Sequence, residues 1–246
     1  VPEVINDNGC ELTDAKSIAN AFNGFFSNVG CNLANKIPTI MDKSPFEYLI
    51  PPTSHDSFFL SPATAGEIEE EIANLNCSKA TGPFSMPVVI LKLIINVVSQ
   101  PLVTIFNASL STGIVSTSLK LAKVIPVFKK GLQNCLNNYR PISLLSIFNK
   151  ILEKLVYKRL HQYLERKEIL YYKQFGFRTS YSTIYALLSI VDKINEAIDH
   201  RDYACGVFLD LSKAFDTVNQ DILIKKLEFY GVRGLANKWF SSYLCN

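Results

Sequence analysis

Residues 206–218, "GVFLDLSKAFDTV", constrain the fold most, because they set a single carboxylate among strand-forming apolar residues. Alternation along "VFLDL" puts Phe208 and Asp210 on one face and Val207, Leu209 and Leu211 on the other. The spacing predicts a strand over 204–211. A buried strand tolerates an aspartate only when something pairs with it. Asp210 is therefore either a harmless strand end or half of a metal site. Mg²⁺ suits the second case, since it takes one or two carboxylates, several waters and substrate phosphate oxygens. The chain then turns through Ala214 and Phe215 into a second aspartate, Asp216.

The rest of the chain bounds the possibilities. At 246 residues and 48% apolar, it can build one large or two modest domains around a real core. Val1 and the closing "SSYLCN" read as an excerpt from a longer polypeptide. Six scattered cysteines without a CxxC or a nearby His pair disfavour zinc and favour reduced thiols. The longest apolar stretch, 88–98, is interrupted by Lys92 and Asn96 and is too short for a bilayer, which needs about 20 residues. A soluble protein of nucleus and cytoplasm is expected.

The net charge of +3 hides an asymmetry. From Lys120 to Arg178, thirteen Lys and Arg face three acids, Glu153, Glu165 and Glu168. Such segregation points to a polyanion partner for the middle of the chain.

Along the chain, Thr13 is placed to cap a helix over 13–35, with a break near Gly30 and an apolar face of Ile18, Phe22, Phe25, Phe26 and Val29. Residues 37–62 read as a Pro- and Ser-rich linker that packs through its aromatics. "TAGE" at 64–67 is a capping box opening a helix through Leu75. Two helices, 87–99 and 101–112, are expected to part at Gln100-Pro101 and end at Gly113. "KLAKVIPVFKKG" and "YRPISLL" read as two strands around a turn, and helices are expected over 143–167 and 183–200. Ser182 or a neighbour caps the second. "NQDILIKKLEFYG" is a helix ending at Gly231, and "LANKWFSSYL" begins another.

Five segments carry a resemblance in one order. "LAKVIPVFKKG", "NNYRPISLLSIFNKILEKLVYKRL", "KQFGFRTSYST", "VFLDLSKAFDTV" and "KLEFYGVRGLANKWFSSYL" resemble the reverse transcriptases of non-LTR retrotransposons of the jockey/CR1 type. They span residues 106–246, and "IANAFNGFFSNVGCNLANKI" is similar to the connector before that polymerase. The resemblance implies an α+β right-hand polymerase fold: fingers and an incomplete palm at 114–246, a helical N-terminal extension at 63–113, and a connector at 1–62.

By position, the resemblance makes Asp210 the catalytic aspartate that binds two Mg²⁺ ions, with the Leu211 carbonyl on one of them. The amides of Lys213 and Ala214 would contact the incoming triphosphate, and Phe215 would be the steric gate against a ribose 2′-OH. Arg140 matches the fingers arginine on the triphosphate, assisted by Lys129 or Lys130. Gln174, Gly176 and Arg178 in "QFGFR" resemble the loop beside the template; Gly176 would allow close backbone approach, and Arg178 would reach a phosphate or brace the palm. Asp216 looks like the cap of a helix starting near Asn219. Partners implied are an RNA template, a DNA primer or target, and deoxynucleoside triphosphates.

Two departures shape the expectation. The family's Tyr-x-Asp-Asp hairpin is absent, so one aspartate is left for two ions, and this chain by itself is expected not to polymerise DNA. Phe84 stands in "GPFSMP" where the family commonly has an aspartate. An isolated chain would also expose apolar palm faces and an unpaired edge at 204–211. The competing readings are a non-catalytic RNA-binding module, a decayed remnant of a mobile element, and an intron-maturase type of reverse transcriptase.

Overall fold

The computed structural model describes residues 2–244 apart from 8, 37–43, 50, 52–55, 79, 81, 84 and 85. Phe84 therefore lies outside the described residues, as does much of the linker. Two short strands absent from the sequence expectation, β1 (Ile5–Asp7) and β2 (Cys10–Leu12), form an antiparallel ribbon. Gly9 turns it with φ 88°, donating its amide to the Asn6 side chain.

Helix α1 (Ala15–Ala34) begins one residue later than expected. Asp14, still extended, accepts the Ser17 amide at 2.9 Å and is the cap in place of Thr13. The helix runs through Gly30 without a break. At the end of the linker Phe58 and Leu60 are buried, as is Ala63 just beyond it, and the Phe58 amide donates to the Gly231 carbonyl at 2.8 Å. The expected capping box opens α2 (Ala65–Ala73), with Thr64 and Glu67 bonding each other's backbone.

The next two helices part elsewhere than expected. Helix α3 (Val88–Leu93) gives way to α4 (Ile95–Thr112) at Ile94, and Pro101 lies inside α4. Proline at that position withholds one amide from the ladder, and its ring sits on the exposed side, so packing on both sides of it carries the helix through. Gly113, left-handed at φ 68°, closes α4. A single turn, α5 (Thr117–Lys120), precedes strand β3 (Ala122–Phe128). Strand β4 (Tyr139–Leu145) returns antiparallel, pairing Val127 with Arg140 and Phe128 with Tyr139. Pro126 faces Pro141, a pair with no N–H on either side, which a two-stranded ribbon accommodates.

Ser146 caps α6 (Ile147–Arg166), which starts later than the periodicity suggests because β4 claims residues through Leu145. Then follow α7 (Thr183–Asp199), α8 (Gln220–Phe229) and α9 (Gly234–Leu244). The result is a mixed α+β architecture.

The main core joins α2, α4, α6 and α9 around Ile68, Phe106, Ile151, Leu155 and Trp239. Burying each such side chain contributes about 1.5–3 kcal/mol. Trp239 stacks on Tyr243 at 5.3 Å and donates its indole N–H to Ser109 at 3.0 Å. Glu71 is 2% exposed yet paired, with Lys154 at 3.1 Å and Lys158 at 2.5 Å. A second, smaller cluster packs Ile5, Ile18 and Phe22 against Leu136 and Tyr139.

The largest correction concerns residues 204–211. They are not a strand: the segment is unpaired and its side chains are exposed, Phe208 at 84%. Strand geometry needs a neighbour to complete its hydrogen bonds, and the two sheets among the described residues are both complete two-stranded ribbons. Helix α7 buries none of its residues, although Leu187, Leu188 and Val191 make one flank of it apolar. Among the described residues no helix is long and apolar enough to cross a membrane.

Candidate nucleotide-binding site

The β3–β4 ribbon positions the first group. Pairing of Val127 with Arg140 puts these two on one face, and pairing of Phe128 with Tyr139 puts those two on the other. Tyr139 is buried, with Phe22 edge-on at 4.9 Å and its hydroxyl donating to the Gln133 carbonyl at 2.7 Å. Arg140 consequently projects from the opposite, exposed face. Lys129 prolongs the ladder by donating its amide to the Asn138 carbonyl at 2.8 Å, and Lys130 follows at the turn; both are exposed.

The second group is the turn after residue 210. The Asp210 carboxylate is exposed and has no hydrogen-bond or ion-pair partner among the described residues, and Leu211 is exposed as well. Lys213 adopts φ 49°, and its carbonyl accepts the amides of Asp216 at 2.9 Å and Thr217 at 3.2 Å. Neither the Lys213 nor the Ala214 amide finds an acceptor among the described residues, so both remain available to an anion. Asp216 is not the cap of the following helix. Helix α8 starts at Gln220, so its cap position falls on Asn219, whose side chain accepts the Ile222 amide at 3.0 Å.

The third group is "QFGFR". Gln174 donates its side-chain amide to the Gly176 carbonyl at 3.1 Å. The left-handed residue is Phe177, at φ 60°, and not Gly176. A side chain on Gly176 would meet open space, so the close approach expected there is not made by this chain's own atoms. Arg178 is spoken for: it forks onto both Glu165 oxygens at 3.0 and 2.8 Å, donates to the Tyr171 carbonyl, and lies 4.4 Å from the Tyr181 ring. The Arg178 hydrogen bonds hold the Glu165 carboxyl below its ordinary range. These contacts tie the loop to α6 through Glu165. The loop and the turn meet where Phe177 touches Phe215, edge to face with centroids 6.1 Å apart.

One side chain outside the expected set, Phe25, also lies against this turn. The Lys213 ammonium lies 4.3 Å over the Phe25 ring, its nitrogen buried and without a hydrogen-bond acceptor among the described residues. Burial lowers its pKa against the opposing charge of Asp216. The apolar stripe on α1 was legible in the sequence; what it packs against was not.

The metal expectation turns on the donor set. No three His, Cys, Asp or Glu side chains converge among the described residues. Asp210 with the Leu211 carbonyl does not supply the several oxygen ligands that two Mg²⁺ ions require.

Comparison with known proteins bears on this geometry. Residues 127–246 match the family described as reverse transcriptase (RNA-dependent DNA polymerase). The chain is 33% identical over 180 residues to a Drosophila melanogaster protein named "Probable RNA-directed DNA polymerase from transposon BS", covering 70% of this chain and 20% of that protein. It is 33% identical over 177 residues to the "RNA-directed DNA polymerase from mobile element jockey" of Drosophila melanogaster, covering 72% and 18%. A similar likeness, 30% over 160 residues, links it to "Probable RNA-directed DNA polymerase from transposon X-element" of the same organism, covering 65% and 18%. The chain spans about a fifth of the length of the curated relatives it matches.

Proposed function

This chain belongs to the reverse transcriptase family, on the jockey-like non-LTR retrotransposon branch, and from that premise we propose that it contributes the nucleotide-binding fingers and first palm segment of an RNA-directed DNA polymerase. Arg140, with Lys129 or Lys130, grips the triphosphate of a deoxynucleotide from the ribbon side. The free amides of Lys213 and Ala214 cradle the same phosphates from the turn, and Phe215 lies under the sugar. Gln174, Gly176 and the Arg178-braced loop sit on the template side. Asp210, exposed beside this turn, is the carboxylate that would face the metal ions of such an enzyme. The residues described do not make up a two-ion site, and no part of the binding role depends on one.

The observation that carries the proposal is the Phe177–Phe215 contact, which joins the template-side loop to the gate within the segment matching the family. The whole polymerase would copy RNA onto a DNA 3′-hydroxyl, with pyrophosphate leaving. Titrating the chain with dATP tests its share of that work. Binding that falls at least about tenfold in Arg140→Ala is expected, since a charge-assisted fork to phosphate is lost. Equal binding by both proteins would overturn the assignment. Primer extension on an RNA template is expected to give no product with this chain alone.

A further inference from the structure

One face of α1 reaches both walls of the site just described. Phe22 meets Tyr139 edge-on at 4.9 Å, and Tyr139 in turn meets Phe128 at 5.5 Å. Phe26 joins Phe22 at 5.5 Å and Phe25 at 5.6 Å, and Phe25 carries the Lys213 ammonium 4.3 Å above its ring. A continuous aromatic series thus runs from Tyr139, beside Arg140, to Phe25, on which Lys213, the neighbour of Ala214, rests. One turn further along α1, Gly30 lies directly against the Asp216 backbone: a Cβ there would fall 2.0 Å from the Asp216 carbonyl oxygen. Positions 22, 25, 26, 29 and 30 fall on one side of the helix, while 23, 24, 27 and 28 are exposed.

We infer that α1 is a strut that fixes the spacing between the two phosphate-binding walls, with Phe25 and Gly30 as its positioning residues. The inference rests on the reading of Arg140, Lys213 and Phe215 given above. The Lys213 ammonium has no hydrogen-bond acceptor among the described residues, so the Phe25 ring face is what holds it. Its left-handed backbone is what turns the free amides of Lys213 and Ala214 together, and a residue at φ 49° persists only when its surroundings hold it there. Gly30 supplies the rest: the turn's backbone can press on the helix only where no side chain intervenes.

The test uses the 246-residue chain and four variants. Gly24, on the exposed side of the same helix, is the matched control for Gly30, because a methyl added there would have nothing within 4 Å. In Gly30→Ala, amide hydrogen exchange over 211–217 should quicken and dATP affinity should fall at least about fivefold, because the turn must move off the helix. Gly24→Ala should change neither. Phe25→Leu should expose the Lys213 amine to acylation and weaken dATP binding, and Phe25→Tyr should restore both, since only the second keeps an aromatic face. Exchange and acylation at the turn that match the parent chain in Gly30→Ala and Phe25→Leu would overturn the strut. So would equal losses in Gly24→Ala and Gly30→Ala, which would mark a general effect on α1. If the parent chain binds no dATP, the nucleotide reading fails, while exchange and acylation still decide whether α1 holds the turn.

Discussion

The ring of Phe177 stands at 85° to that of Phe215, closing the "QFGFR" loop onto the turn that follows Asp210. Two segments separated by the whole of α7 are brought together by this contact, at residues that are each exposed, at 83% and 80%. An edge-to-face pair adds about 0.5–1.5 kcal/mol beyond area burial. With so little else of either ring covered, its removal should be felt locally.

Phe215→Val is accordingly expected to narrow the preference of the chain for dATP over ATP by about tenfold, since the ring that would clash with an added 2′-hydroxyl is removed. Parallel titrations with both nucleotides check it. Unchanged discrimination would remove Phe215 from beneath the sugar.

Arg178→Ala should loosen the loop without unfolding the molecule. It removes the fork to Glu165 and the bond to the Tyr171 carbonyl. Limited proteolysis should then cut faster within 171–181. Glu165→Gln should do the same, and the double variant should be no worse than Arg178→Ala, because the two residues act as one unit.

Glu71 predicts an acid-dependent stability. Burial raises its pKa, but hydrogen bonds and charge from Lys158 and Lys154 outweigh that, and the net shift is downward. A carboxyl lowered in the folded state contributes stability above its ordinary range and loses it as pH falls through the folded value. Glu71→Gln should cost about 1–2 kcal/mol at neutral pH, the half-exposed lysines softening the loss. Its melting temperature should fall less than the parent's on acidification.

Gly82→Ala should destabilise by about 1–3 kcal/mol, as overpacking against backbone does. A Cβ at Gly82 would lie 2.3 Å from the Leu145 carbonyl oxygen, where β4 hands over to α6. Thermal denaturation compared with Gly24→Ala separates this clash from a generic effect of alanine.

The elements that read cleanly from the sequence are those whose signal is local. The Thr64–Glu67 box, the β3–β4 alternation, the period of α6 and the Gly113 stop each need only a few neighbouring residues. What escaped was set by partners distant in the chain. Residues 204–211 have the composition of a strand but no neighbour to pair with among the described residues, and Pro101 is carried within α4 by packing that its own sequence does not announce. The candidate site divides the same way. Arg140, Lys213, Ala214 and Phe215 stood out as a family pattern, yet the bracing of Arg178 by Glu165 and the seat of Lys213 on Phe25 depend on tertiary approach. Asn219, and not Asp216, caps α8 because it stands immediately before the helix, where its side chain reaches the Ile222 amide.

Asp210, Leu211 and Phe215 stand outside both apolar clusters, which draw instead on α2, α4, α6, α9 and the base of α1. Substituting them removes nothing from the interior. A variant at Asp210 or Leu211 should therefore keep the parent's heat capacity and unfolding midpoint, and whatever it loses in a ligand titration can be credited to recognition and not to a weakened scaffold; one at Phe215 gives up only its edge-to-face contact with Phe177.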